Sequence, residues 1–203
     1  MTNQNKPPFF AEVIEASLDH YTAQSWDWKQ FPTFGSLMSI ERQGQHILGV
    51  VTTIQTGSMD PSRTPFAYQK TEAELEHEQP QIYAFLKTSF TVQTCGYTTA
   101  EEPNQIIFAI PPTPPKIHAF VAQAPQTLAQ QFFADAQFLE VLYGYSPAIQ
   151  NLDELLLAIL RTIKANGLLT AKLLEDISHG FALLSGNDYR RLKVFLHRIE
   201  QIK

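Results

Sequence analysis

The sequence predicts an α+β protein: a small, closed N-terminal β-barrel with an inserted helix, followed by a C-terminal α-helical unit. Three observations predict it. Short β-branched runs with interspersed glycine and turn residues dominate up to residue 110. One helical period interrupts them near residues 71–86. After the proline cluster at 111–115 the period becomes helical. Five or six short strands favour a closed barrel over an open sheet, because closure removes exposed edges. The expected division is a flexible N-terminus over 1–9, a barrel domain over 10–110, a proline-rich connector over 111–118 and a helical unit over 119–203.

Residues 1–8 are polar and proline-bearing. Two short extended segments follow, near 11–17 and 20–26. "WDWKQFPTFG" (26–35) reads as a loop with buried aromatics, since Pro32 argues against a central strand. In "SLMSIER", Leu37, Ser39 and Glu41 alternate with Met38, Ile40 and Arg42 across two faces. "QG" at 43–44 closes a short hairpin. Ile47, Leu48, Val50, Val51 and Ile54 form a run apolar enough for burial on both faces, and Gly49 within it marks a bulge or bend. Residues 56–68 read as a loop. Thr71 and Glu74 make a capping box that starts the inserted helix, and Pro80 interrupts it. "KTSFTVQTCGY" (87–97) and "NQIIFAI" (104–110) read as further strands.

The connector carries four prolines within residues 111–115. Proline fixes φ and donates no hydrogen bond, so an extended segment is expected. Everything beyond it reads as helix, over roughly 125–143, 152–166, 169–184 and 187–202. Asn151 with Glu154 is a second cap, and Gly167 and Gly186 are stops.

Composition bounds the function. Of the 203 residues, 44% are hydrophobic and 17% charged, a globular balance. No apolar run approaches the ~20 residues that span a bilayer. The opening "MTNQNKPPFF" is unlike a signal peptide. Cys95 is the one cysteine, which excludes an internal disulfide and a cysteine-ligated zinc site. The cytoplasm is the expected compartment. Residues 1–160 carry seven Lys/Arg against sixteen Asp/Glu, and residues 161–203 carry eight against four. The acidic body repels polyanions; the C-terminal end can attract them.

No candidate for chemistry outweighs its structural reading. His77 sits between Glu76 and Glu78, but helix neighbours one apart do not share a face. Asp19, His20 and Tyr21 read as a turn entering a strand. Ser146 lacks the surroundings of a G-x-S-x-G nucleophile. Cys95 has no cation nearby in sequence and reads as a buried, inert thiol. Glu72 and Glu76 share a helix face, but capping and a solvated surface account for the acidic run. At 184–188, Asn187 or Asp188 caps the last helix. No catalytic residue, metal site or cofactor is expected.

The last helix is the most informative. Tyr189, Leu192, Phe195, Leu196, Ile199 and Ile202 fall in an arc of roughly 140° at about 100° per residue. Arg190, Arg191, Lys193, His197 and Arg198 occupy the rest. The functional reading is a docking face built from Arg190, Arg191, Lys193 and Arg198; the plainer one is a solvated surface.

"FGSLMSI", "ILGVVTTIQTG", "PFAYQKTEAELEHEQPQIYAFLKTSF" and "CGY" together resemble the HAS-barrel family, over about residues 10–118. That barrel is named for its place at the N-terminus of a hexameric DNA-translocating ATPase and of rotary ATP synthase subunits. The resemblance implies a coupling and assembly module that packs against neighbouring barrels or docks a partner. This chain departs from the larger members: it has no G-x-x-x-x-G-K-[ST] phosphate loop. The expected function is therefore a non-catalytic assembly or adaptor role through protein contacts or self-association, without membrane or cofactor. The alternative is a barrel that binds single-stranded nucleic acid through aromatics such as Phe66, Tyr68, Phe90 and Tyr97. The acidic balance of residues 1–160 counts against it.

Overall fold

The computed structural model describes residues 9–60, 62, 65–134, 136–186 and 188–202. The flexible N-terminus expected over 1–9 falls outside them except for Phe9, and so does Asn187. Six strands form the barrel: β1 (Phe9–Ala16), β2 (His20–Ser25), β3 (Leu37–Arg42), β4 (Gln45–Ser58), β5 (Leu86–Tyr97) and β6 (Phe120–Gln123). They close in the order β1-β2-β5-β4-β3-β6, with every neighbouring pair antiparallel.

The β3–β4 hairpin follows from its turn residues. Arg42 pairs with Gln45, leaving Gln43 and Gly44 at φ 53° and 78°. Two consecutive positive φ values match the right-handed twist of the flanking strands. The bulge expected at Gly49 is present, since the β4–β5 register shifts between Leu48 and Gly49. A Cβ on Gly49 would lie 2.5 Å from the Gln93 carbonyl oxygen. The close approach of β5 therefore requires glycine.

The barrel wall is buried on both sides. Met38, Ile40, Val51, Phe90, Val92 and Val121 fill the interior with Phe10, Val13 and Tyr21. Leu37, Leu48, Val50 and Cys95 face outward into a second core shared with the helices. That explains the near-continuous apolar run in β4.

Four expectations need correction. The chain after the connector is not all helical: β6 pairs with both β1 and β3 and seals the barrel. The barrel thus extends beyond residue 110. The 104–110 segment is not a strand but a single bridge between Ile107 and Tyr97; Pro103 and Pro111 bracket it and limit pairing. The aromatics of the 26–35 loop are not buried. Trp26, Phe31 and Phe34 are 47%, 49% and 37% exposed, because the barrel interior is already filled from its strands. The helix expected over 125–143 is two helices, α2 (Gln126–Phe132) and α3 (Phe138–Gly144). The break brings Phe132, Phe133 and Phe138 together, with ring centroids 5.0 to 5.6 Å apart. On one continuous helix Phe138 would point about 120° away from Phe132 and about 140° from Phe133.

The inserted helix, which we number α1 (Glu72–Glu78) by chain position, carries the full Thr71–Glu74 capping box. It passes into a 3-10 helix over Pro80–Phe85. The central helix α4 (Leu152–Ala165) buries residues around most of its circumference, and α5 (Ala171–Leu184) and α6 (Tyr189–Glu200) pack with it. Side chains of Asn151, Thr170 and Asp188 cap α4, α5 and α6 by accepting from the backbone three residues on. Gly35 joins barrel to helices. Its φ is +81°, and an added Cβ would lie 2.8 Å from the Ile159 backbone nitrogen. Among the described residues no helix is long and apolar enough to cross a membrane.

Candidate interaction surfaces

The four cations expected to form a docking face divide into two pairs. Arg191 donates from Nε to both Asp153 carboxylate oxygens at 3.1 and 3.0 Å, and from Nη2 to Oδ1 at 2.6 Å. Its guanidinium also lies over the Phe181 and Tyr143 rings, 5.4 and 6.0 Å from their centroids. Arg198 pairs with Glu154 at 2.5 Å. Both acids stand in the first turn of α4, where the helix dipole also favours them. Arg191 and Arg198 thus hold α6 against α4. They do not belong to a freely solvated face.

Arg190 and Lys193 remain exposed. Tyr189 (75% exposed) and Val194 (55%) stand beside them on the same helix. The outward face of α6 is therefore mixed, two cations interleaved with two large apolar side chains. The buried face carries Phe195, stacked on Phe181 at 3.8 Å, and Ile199. Tyr189, expected in the apolar arc, opens the first turn of α6 and lies outside the buried set.

A second surface lies where the barrel meets α4. A groove of about 850 Å³ runs between the 30–36 loop and the last turns of α4. Phe31 and Phe34 supply its exposed apolar wall, over buried Phe10, Met38 and Ala158. Arg161 is the one charged residue among the described residues that line it. The loop is held by reciprocal backbone hydrogen bonds to Val51, from Gly35 at 3.0 Å and to Ser36 at 3.1 Å. The Ser36 hydroxyl also donates to the Thr33 carbonyl at 2.6 Å.

The remaining residues singled out in the sequence do not converge. Glu72 and Glu76 approach Lys29 at 3.6 and 2.5 Å, and Lys29 lies near the stacked rings of Trp28 and Tyr83. Lys70 pairs with Glu78. The acidic run thus braces the 26–34 loop against the inserted helix. His77 is exposed. Asp19 occupies the β1–β2 turn, with its carboxylate 3.0 Å from His20 Nδ1. Cys95 is fully buried, and desolvation pushes its thiol up to about 12. Ser146 lies in the turn after α3. The four aromatics of the nucleic-acid reading do not share a face. Phe90 is inside the barrel at 1% exposure, whereas Phe66 and Tyr68 contact each other in a tilted pair, centroids 4.4 Å apart, in the 65–70 segment. Among the described residues no cluster of three His, Cys, Asp or Glu could hold a metal.

Sequence reasoning missed the groove and the α4–α6 ion pairs. The pairs had a faint signal, since Asp153 and Glu154 open one helix while arginines punctuate another. The groove had none, because it depends on Gly35 meeting α4. The chain matches no family model and no curated protein.

Proposed function

We propose that this protein is a non-catalytic assembly or adaptor protein acting in the cytoplasm, through a HAS-type barrel and its C-terminal helices. The observation that carries the reading is the outward face of α6. Arg190 and Lys193 are exposed beside exposed Tyr189 and Val194, and an interface favours such mixtures of aromatic and arginine side chains. The complementary surface is on the chain itself. Glu41, Glu101 and Glu102 are exposed near the far end of the β3–β4 hairpin, where Thr98 accepts from the His46 amide at 2.9 Å. Basic helix to acidic barrel end is a head-to-tail contact, which closes a ring or propagates. The buried, unpaired Cys95 suits a reducing compartment.

The test is a double charge reversal, Arg190→Glu with Lys193→Glu. Both residues are exposed, so stability should move by no more than about 0.5 kcal/mol. Sedimentation velocity over a concentration series should show self-association in the parent, weakened in the variant and restored by adding Glu41→Lys with Glu101→Lys. A parent that stays monomeric at every concentration sinks the head-to-tail reading.

A further inference from the structure

We propose that the groove between the barrel and α4 binds an extended segment of a partner protein, one carrying an acidic residue next to an aromatic or aliphatic one. The inference rests on the protein-contact reading above. Its first support is size. A volume of about 850 Å³ lies within the ~300–1,000 Å³ typical of ligand-binding clefts, and the groove is open along one side, as an extended segment needs.

The second support is the chemistry of the walls. Phe31 and Phe34 are exposed aromatics on one side. Gln30, Gln123 and Asn166 stand along the groove with side-chain amides that have no hydrogen-bond partner among the described residues. Each amide offers two donors and one acceptor. Peptide groups present the matching pair, one N–H and one C=O per residue. An extended backbone can therefore be held while its side chains meet the phenyl rings.

Arg161 sets the charge. It makes no contact ion pair among the described residues; its charge acts at longer range on Glu154, whose carboxylate is held by Arg198 at 2.5 Å. A carboxylate is the complementary group, and guanidinium binds it in fork geometry. One cation is too few for a polynucleotide, whose binding needs several phosphates neutralised together. The floor is preformed, since Gly35 is wedged against the α4 backbone, which lowers the ordering cost of binding.

A phage-displayed library of random peptides, selected on the full chain, tests this. Enriched sequences should place Asp or Glu beside Phe, Leu or a similar side chain. Synthetic peptides of those sequences, followed by fluorescence anisotropy, should bind the parent and lose about tenfold in affinity or more with Arg161→Glu. Phe34→Ala should weaken them too, and selection on the Arg161→Glu chain should enrich Lys and Arg instead. Both residues are exposed, and matching thermal transitions confirm that the variants fold. If the enriched peptides bind Arg161→Glu unchanged but lose binding with Arg190→Glu and Lys193→Glu, the groove is overturned while the protein-contact reading stands. If no peptide is enriched and oligothymidylate binds in an Arg161-dependent way, both readings fall. If neither probe binds, the groove proposal is overturned.

Discussion

The Arg191 guanidinium and the Asp153 carboxylate form a forked ion pair across 38 residues of sequence, with contacts of 2.6 to 3.1 Å. The pair joins the N-terminal turn of α4 to that of α6, and Phe181 and Tyr143 back the arginine. It turns a helix that looks like a basic surface into a clamped member of the bundle.

Replacing Arg191 with alanine should cost about 1–2 kcal/mol, read as a lower denaturant midpoint. The side chain is 36% exposed, so solvent screens the pair; the forked geometry and ring contacts keep it above an ordinary surface bridge. Arg190→Ala, with its side chain in solvent, should change the midpoint little. Equal effects from the two would show that the clamp contributes nothing.

Two glycines with similar φ should respond differently to alanine. Gly44 has φ +78° and open space around it, while Gly35 has φ +81° and α4 backbone within 3 Å of any Cβ. Gly44→Ala should cost about 1 kcal/mol from backbone strain alone. Gly35→Ala adds a steric clash and should cost about 2–4 kcal/mol. Calorimetric melting of both variants decides it, and an equal loss would mean the loop moves off α4 freely.

A cut in the connector should not release a free barrel. Lys116 and Ile117 are exposed, so trypsin can reach that bond. The C-terminal fragment would still hold β6 in its seam, with Leu37, Leu48 and Val50 packed on the helices. Size-exclusion chromatography should give one nicked species of unchanged size that separates into two bands only under denaturing conditions. Fragments that part in native buffer would mean the two cores are independent.

Acid should destabilise the chain through two glutamates. The hydrogen bond from Arg198 holds Glu154 below the usual carboxylate range, and the Thr71 amide does the same for Glu74. A folded value below the unfolded one gives stability that is present above about pH 4.3 and is lost as pH falls through the folded value. Denaturant midpoints should therefore drop on acidification below that range, less steeply in Glu154→Gln. A variant with an unchanged slope would assign the acid sensitivity to other groups.

Much of the barrel was legible because its signals are local. The Gln43–Gly44 turn, the Gly49 bulge and the Thr71 cap each depend on residues within a few positions of one another. What stayed hidden depends on distant partners. β6 is only "FVAQ", too short for periodicity to speak; it becomes a strand because β1 and β3 leave a gap of its width. The 26–35 aromatics looked like core by hydrophobicity, but the interior had no room for them. On α6 the count of cations was readable, whereas their division between clamp and open face required knowing where α4 begins.

The seam between the first strand and the last also sets an order of events during synthesis. β1 begins at residue 9, and its neighbour β6 ends at residue 123 of 203. Until that segment leaves the ribosome, β1 and β3 each keep a bare edge, the kind that recruits other chains. At roughly 5–20 residues per second, the nascent protein carries those open edges for several seconds on every ribosome. It is therefore most exposed to chaperones, and to premature pairing with a neighbouring nascent copy, before the helices α2 to α6 exist.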